Sequence, residues 1–217
     1  MAGRKDWFRR TTWTSEDRAE FELRLGRSRT SFHKSQYLRI QAGHLVHDAE
    51  PPLHEAALEL LDRLLGDVPD PSQLGEAHRQ RAACLVAMQR PEEAVRAYQD
   101  ALAAERCHPG VQGNAYLDLA ELVLVLGRVD LYAEMLELIT IRKRVVVFPL
   151  AQYRACSAAA FLAERLGSLE DARSFATQAL SAAAQTESPF RYHRTLGLVE
   201  ATDDDVQKRL WQLARSV

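Results

Sequence analysis

Pro69, Pro109, Pro149 and Pro189 stand 40 residues apart, and that spacing limits the folds open to this chain more than any other feature. Between the prolines lie Ala/Leu-rich segments whose apolar residues recur at helical spacing, without the alternation of a strand. The cleanest stretch runs from His78 to Ala104. Ala82, Leu85 and Val86 mark one apolar face, and Gln89-Arg90-Pro91-Glu92-Glu93 then turns the chain. Pro91 followed by two acids suits a helix start, because the ring fits the first turn and negative charge suits the helix N-terminus. A second apolar stripe follows with Ala94, Val95, Tyr98, Ala101 and Leu102. The chain therefore reads as all-α, built from repeated helix pairs.

Composition supports a folded core: 47% of the 217 residues are hydrophobic and 27% are charged. No apolar run approaches the roughly 20 residues needed to cross a bilayer, so no membrane partner is expected. The opening Met-Ala-Gly-Arg-Lys-Asp-Trp-Phe-Arg-Arg is charged with no apolar stretch behind it, unlike a secretory signal. Three widely spaced cysteines (Cys84, Cys107 and Cys156) fit a reducing cytoplasm better than a disulfide framework. A cytoplasmic, bacterial protein is expected.

The pair around Pro91 resembles a tetratricopeptide repeat (TPR). Its second helix carries the small–aromatic–small pattern Ala94, Tyr98, Ala101, while Ala82 and Leu85 take the small and large positions of the first. His78 and Arg81 stand where the family usually has Trp and Leu. Similar units read Tyr116, Leu119, Ala120, Val123, Gly127, Tyr132, Leu136, Ile139, and then Cys156, Ala159, Ala160, Ala163, Gly167, Ala172, Ala176, Ala179. A degenerate first unit reads Leu38, Gln41, Ala42, Leu45, then Ala57, Leu61, Leu64, its turn lengthened around Glu50-Pro51-Pro52. The resemblance implies a right-handed α-solenoid of about four TPR-like helix hairpins, at 35–70, 74–108, 112–148 and 150–187, within an array spanning 35–187.

Both flanks depart from the repeat. Thr14-Ser15-Glu16-Asp17 can cap a helix through Phe21 and Leu25, giving an N-terminal capping helix over 15–34. Asp203-Asp204-Asp205 opens a C-terminal cap with Val206, Leu210, Trp211 and Leu213 inside a segment spanning 188–217. Residues 1–14 form an aromatic and basic arm, and its Trp7, Phe8 and Trp13 are expected to pack on the first helices, with partner recognition as the alternative.

No catalytic constellation stands out, and an enzyme is not expected. The glycines form no phosphate loop, and no cysteine pair has zinc-ligand spacing. Cys156 reads as a small core residue rather than a nucleophile. His44 and His47 share a helix face near Asp48, His54 and Glu55, but they lack the H-E-x-x-H pattern, so neither a metal nor another cofactor is expected. Positive charge at Arg24, Arg27 and Arg29 and at Ile141-Arg142-Lys143-Arg144 could serve nucleic acid. Against this stand the net charge of −2 and an acidic middle, so nucleic acid is the alternative partner to protein.

The resemblance thus implies a non-enzymatic interaction module (scaffold, chaperone or immunity-type partner) that captures a protein segment in a concave groove. Carrying the family's groove positions across gives Gln36, Arg39 and His47 in the first pair, and Glu76 and Arg79 in the second. The third gives Asn114 and Glu121, and the fourth Arg154, Ser157, Phe161 and Arg165. Glu76 and Glu121 fall in the middle, whereas Arg39, Arg154 and Arg165 fall toward the ends. A partner with a basic or neutral centre and acidic flanks is expected, anchored by aromatic contact near Phe161.

Overall fold

Short-range capping chemistry sets where the helices begin. The computed structural model describes residues 6–143 and 147–215. Arg144 of the basic cluster, the first five residues of the arm and the last two of the chain lie outside the described residues. Among the described residues there are ten α-helices, one 3₁₀ turn and no strand. The chain divides into two compact units, Met1–Ala115 and Tyr116–Val217.

The first unit holds α1 (Ser15–Gly26), α2 (Ser31–His47), α3 (His54–Asp67), α4 (Pro71–Ala87) and α5 (Pro91–Cys107). Thr14 and Asp17 close a capping box at the start of α1. Asp70 caps α4 ahead of Pro71, and Pro91 with Glu92 and Glu93 opens α5. Helices α2 and α3 pack together, as do α3 and α4, and α4 and α5; α2 also reaches α4, the first helix of the next pair. The core gathers Phe21 and Leu25 of α1, Leu38 and Leu45 of α2, and Leu61 and Leu64 of α3. Each large side chain so removed from water contributes about 1.5–3 kcal/mol. Ala82, Ala94, Ala97 and Ala101 are fully buried, and such small residues let helices approach closely.

The N-terminal arm is part of this core. Trp7, Phe8 and Trp13 pack against it, with Trp7 and Trp13 each 5.3 Å from the Phe21 ring and Phe8 4.6 Å from Tyr37. Gln41, with no exposed surface, fixes the arm's backbone. It accepts the Arg10 N–H at 3.0 Å and donates to the Arg10 carbonyl at 2.8 Å. The arm therefore docks on the first helices.

The second unit comprises most of α6 (Ala115–Leu126), then the 3₁₀ turn Val129–Leu131, α7 (Tyr132–Arg142), α8 (Pro149–Arg165), α9 (Leu169–Ala183) and α10 (Asp204–Arg215). Alanines at 155, 159, 160 and 163 of α8 and at 172, 176 and 179 of α9 are buried where these helices pack. Helix α10 lies on α9 and α8 and buries Leu210 and Leu213. The segment leading to it is pinned: the Leu150 N–H donates to the Gly197 carbonyl at 2.8 Å, and Phe148 stacks on Phe190. Gly197 has φ +74°, and a Cβ there would overlap the Phe148 ring.

Three hairpins turn by one device. Gln89, Gly127 and Gly167 follow α4, α6 and α8 in the left-handed region, at φ of 57°, 66° and 82°. The next N–H in each case reaches back five residues: Arg90 to Leu85, Arg128 to Val123 and Ser168 to Ala163, at 2.8–3.1 Å. The turn between α2 and α3 differs, with Leu53 donating to Leu45 across a longer loop.

Candidate protein-binding surface

In the first unit, the packing of α2 on α4 sets their polar residues beside one another. Arg39 donates from Nε to Gln73 Oε1 at 2.8 Å. Burial lowers its guanidinium from the ordinary value, an effect that nearby Glu76 opposes. Arg79 grips Glu76 with two bonds of 2.8 Å, and Gln80 adds a weaker third at 3.4 Å. A Cβ on Gly43 would sit 3.6 Å from the Gln80 amide, so the backbone of α2 comes close to the side chains of α4 here. Gln36, Arg39, Glu76 and Arg79 are all half-exposed, and His47 is exposed at the end of α2. Asn114 is also exposed, but it precedes α6, which begins at Ala115, so it is not on the helix where the repeat pattern put it.

In the second unit Arg154 of α8 crosses to α6. It bonds Glu121 through Nε and Nη2 and Asp118 through Nη2, all at 2.7 Å. These bonds to carboxylates push its guanidinium above the ordinary value despite burial. Glu121 and Arg154, expected to offer opposite charges to different parts of a partner, thus face each other. Glu76 and Arg79 do the same in the first unit. Glu76 and Arg79 are neighbours on one helix, whereas Glu121 and Arg154 are far apart along the chain and helix packing brings them together as an ion pair.

Ser157 was expected on the open face and is instead 7% exposed. Helix α8 packs on α7, α9 and α10, which leaves little of its circumference open. Phe161 is half-buried, with the Arg209 guanidinium of α10 5.8 Å from its ring centre and Arg209 tied to Glu164 at 2.8 Å. Sequence reasoning missed that α10 comes over this face. Its amphipathic pattern showed a helix but not its docking site. Arg165, at the end of α8, is exposed.

Other chemistry is sparse. A cleft of about 310 Å³ in the second unit is lined by Lys143, Gln152, Cys156, Gln178 and Ser181. Burial pushes the Cys156 thiol up, and Lys143 opposes this. Cys84 is pushed up to about 11, also by burial. Thiols held protonated in this way are weak nucleophiles. A second cleft of about 430 Å³, between α4 and α5, is lined by Leu74, His78, Asp100 and Cys107. Burial lowers His78, and Asp100 at 4.0 Å opposes this. His44 bonds Asp48 at the C-cap of its own helix, and among the described residues no group of three or more His, Cys, Asp or Glu side chains could hold a metal.

No protein-family model matches the chain, and neither a curated protein nor a solved structure resembles it significantly.

Proposed function

We propose that this chain is a non-enzymatic interaction module, a TPR-like α-solenoid of about four helix hairpins that holds a segment of another protein. The observation that carries the reading is the packing of α2 on α4. First helices of consecutive pairs set side by side give an extended face rather than an enclosed pocket, the arrangement through which helical arrays take up peptides. Hydrogen bonds orient Arg39, Glu76 and Arg79 in advance, which lowers the ordering cost of binding. Because Glu76 is satisfied by Arg79 of the protein itself, the partner exchanges hydrogen bonds with groups that are already paired. Its recognition rests less on net charge than on shape.

The test places a photo-crosslinking residue at Gln36 and, in a separate variant, at Arg96 on α5. Proteins joined to each variant in the native host are then identified and compared. The reading expects one protein crosslinked from Gln36 and lost when Glu76→Ala and Arg79→Ala are added. The same proteins from both positions, or none from Gln36, would refute it.

A further inference from the structure

From Leu23 to His47 the chain carries no Asp or Glu, although carboxylates are common on either side. In the first unit, arginines outside this stretch are mostly neutralised by a carboxylate: Arg10, Arg18, Arg63, Arg81 and Arg90 all are. Within or against the stretch, Arg9, Arg27 and Arg29 are exposed and Lys34 is half-exposed, and among the described residues none has a carboxylate within 4.0 Å.

The same edge carries a run of rings. Phe8 lies 4.6 Å from Tyr37, Tyr37 stacks on His33 at 6.1 Å and 25°, and His33 lies 5.4 Å from Phe32. Arg9 stands over Phe8, and Thr30, next to Arg29, bonds His33 at 2.7 Å. Arg9 therefore borders the rings in space, and Arg29 and Lys34 flank Phe32 and His33 along the chain. Phe32 is 39% exposed, a large apolar ring left in water beside unpaired positive charge.

We infer that this edge of the first unit, where α1 turns into α2, binds single-stranded nucleic acid. Each nucleotide brings one phosphate charge and one flat apolar face, and the edge offers cations and ring faces side by side. An acidic peptide would use the cations and leave the rings unoccupied. Three of the four cations are arginines, whose planar fork fits phosphate oxygens and stacks on bases. This edge adjoins the α2–α4 face proposed for protein capture, with Phe32 one helical turn from Gln36 on α2. The Arg27, Arg29 and Phe32 variants leave Glu76 and Arg79 untouched, so either reading can fail without the other.

The experiment is a fluorescence-anisotropy titration of labelled oligonucleotides of about 16 residues with the full chain. Single strands and a duplex of the same sequence are compared between about 50 and 200 mM salt. The single strand should bind more tightly than the duplex. Its affinity should fall with salt at a log–log slope of about −2 to −3, the release expected for three or four phosphate contacts. Arg27→Glu with Arg29→Glu should weaken binding at least about tenfold. Phe32→Ala keeps every charge and should still weaken it about fivefold or more, through lost stacking. Arg165→Glu in the second unit should change nothing, and circular dichroism confirms that each variant is folded. Equal binding of duplex and single strand, or a Phe32→Ala variant that binds like the parent, would overturn the inference in favour of a general anion surface. Tighter binding to poly-glutamate or to vesicles of anionic lipid than to the oligonucleotide would overturn it in favour of an acidic protein or a membrane. No binding of the single strand at the lower salt would overturn it outright.

Discussion

Gln89 holds a left-handed conformation that Gly127 and Gly167 hold at the matching turns of two other hairpins. A side chain there costs roughly 1–2 kcal/mol, offset partly by the greater freedom that glycine gives the unfolded chain. Gln89→Gly should therefore stabilise the protein by about 0.5 kcal/mol, and Gly127→Ala or Gly167→Ala should each cost about 1 kcal/mol. Urea midpoints for the three variants check this, and a loss of stability in Gln89→Gly would contradict it. The glycine turns were legible in the sequence, because glycine after a helical stripe is a stop signal. Gln89 was legible only from its place before Arg90-Pro91. Partner choice was harder to read. Arg154 meets Asp118 and Glu121, 36 and 33 residues away, and nothing local announces either contact. Arg154→Met should cost about 1 kcal/mol, mostly by taking a charged partner from the largely buried Asp118, since the half-exposed Glu121 can turn to water. Adding Asp118→Asn and Glu121→Gln should recover part of that loss in a multiple-mutant cycle.

At the scale of the element, the arm and α1 depend on Asp17. Burial alone would raise its carboxyl, but hydrogen bonds from Thr12 and Thr14 and the charge of Arg10 together hold it below the usual 3.8. A group depressed in the folded state contributes stability above its unfolded pKa and loses it as pH falls through the folded value. The arm should stay docked at neutral pH and loosen as pH drops below 3.8. Emission from Trp7 and Trp13 should report this in a Trp211→Phe background. In Asp17→Asn that acid step should vanish, and its persistence would move the cause elsewhere. The capping stretch at Thr14 was readable directly, because its residues act on their immediate neighbours. That Gln41 would hold the arm was not, since a buried glutamine in a helix looks in sequence like any polar position. Helix α2 has no acid in its first turn, with His33 and Lys34 there instead. Lys34→Glu should raise thermal stability by about 0.3–1 kcal/mol through the helix dipole.

Over the whole molecule, helical periodicity carried the assignment to an all-helical chain, because a stripe of apolar residues has only one way to leave water. Three of the helices start with a proline in the first turn, Pro71, Pro91 and Pro149, and of these Pro91 was read as a helix start from the sequence. Surface charge did not follow from its order along the chain. Reading an acidic middle along the chain assumes that neighbours in sequence act together, whereas packing pairs Arg154 with carboxylates a full hairpin away. The same distinction explains Ser157 and Phe161: their positions along α8 were readable, but not what would cover them.

The contact between Gly197 and Phe148 also sets the length of a leash. About twenty residues join α9 to α10, but with the chain pinned at Gly197 only about six remain free before α10 begins. A helix on so short a lead samples a small volume around its seat. It should return after each local opening far sooner than one on the full segment. Lengthening the lead threefold costs about 1 kcal/mol of closure entropy. In Gly197→Ala, where the new methyl expels the Phe148 ring, amides near Leu210 and Leu213 should exchange about fivefold faster than in the parent, with those near Leu61 unchanged.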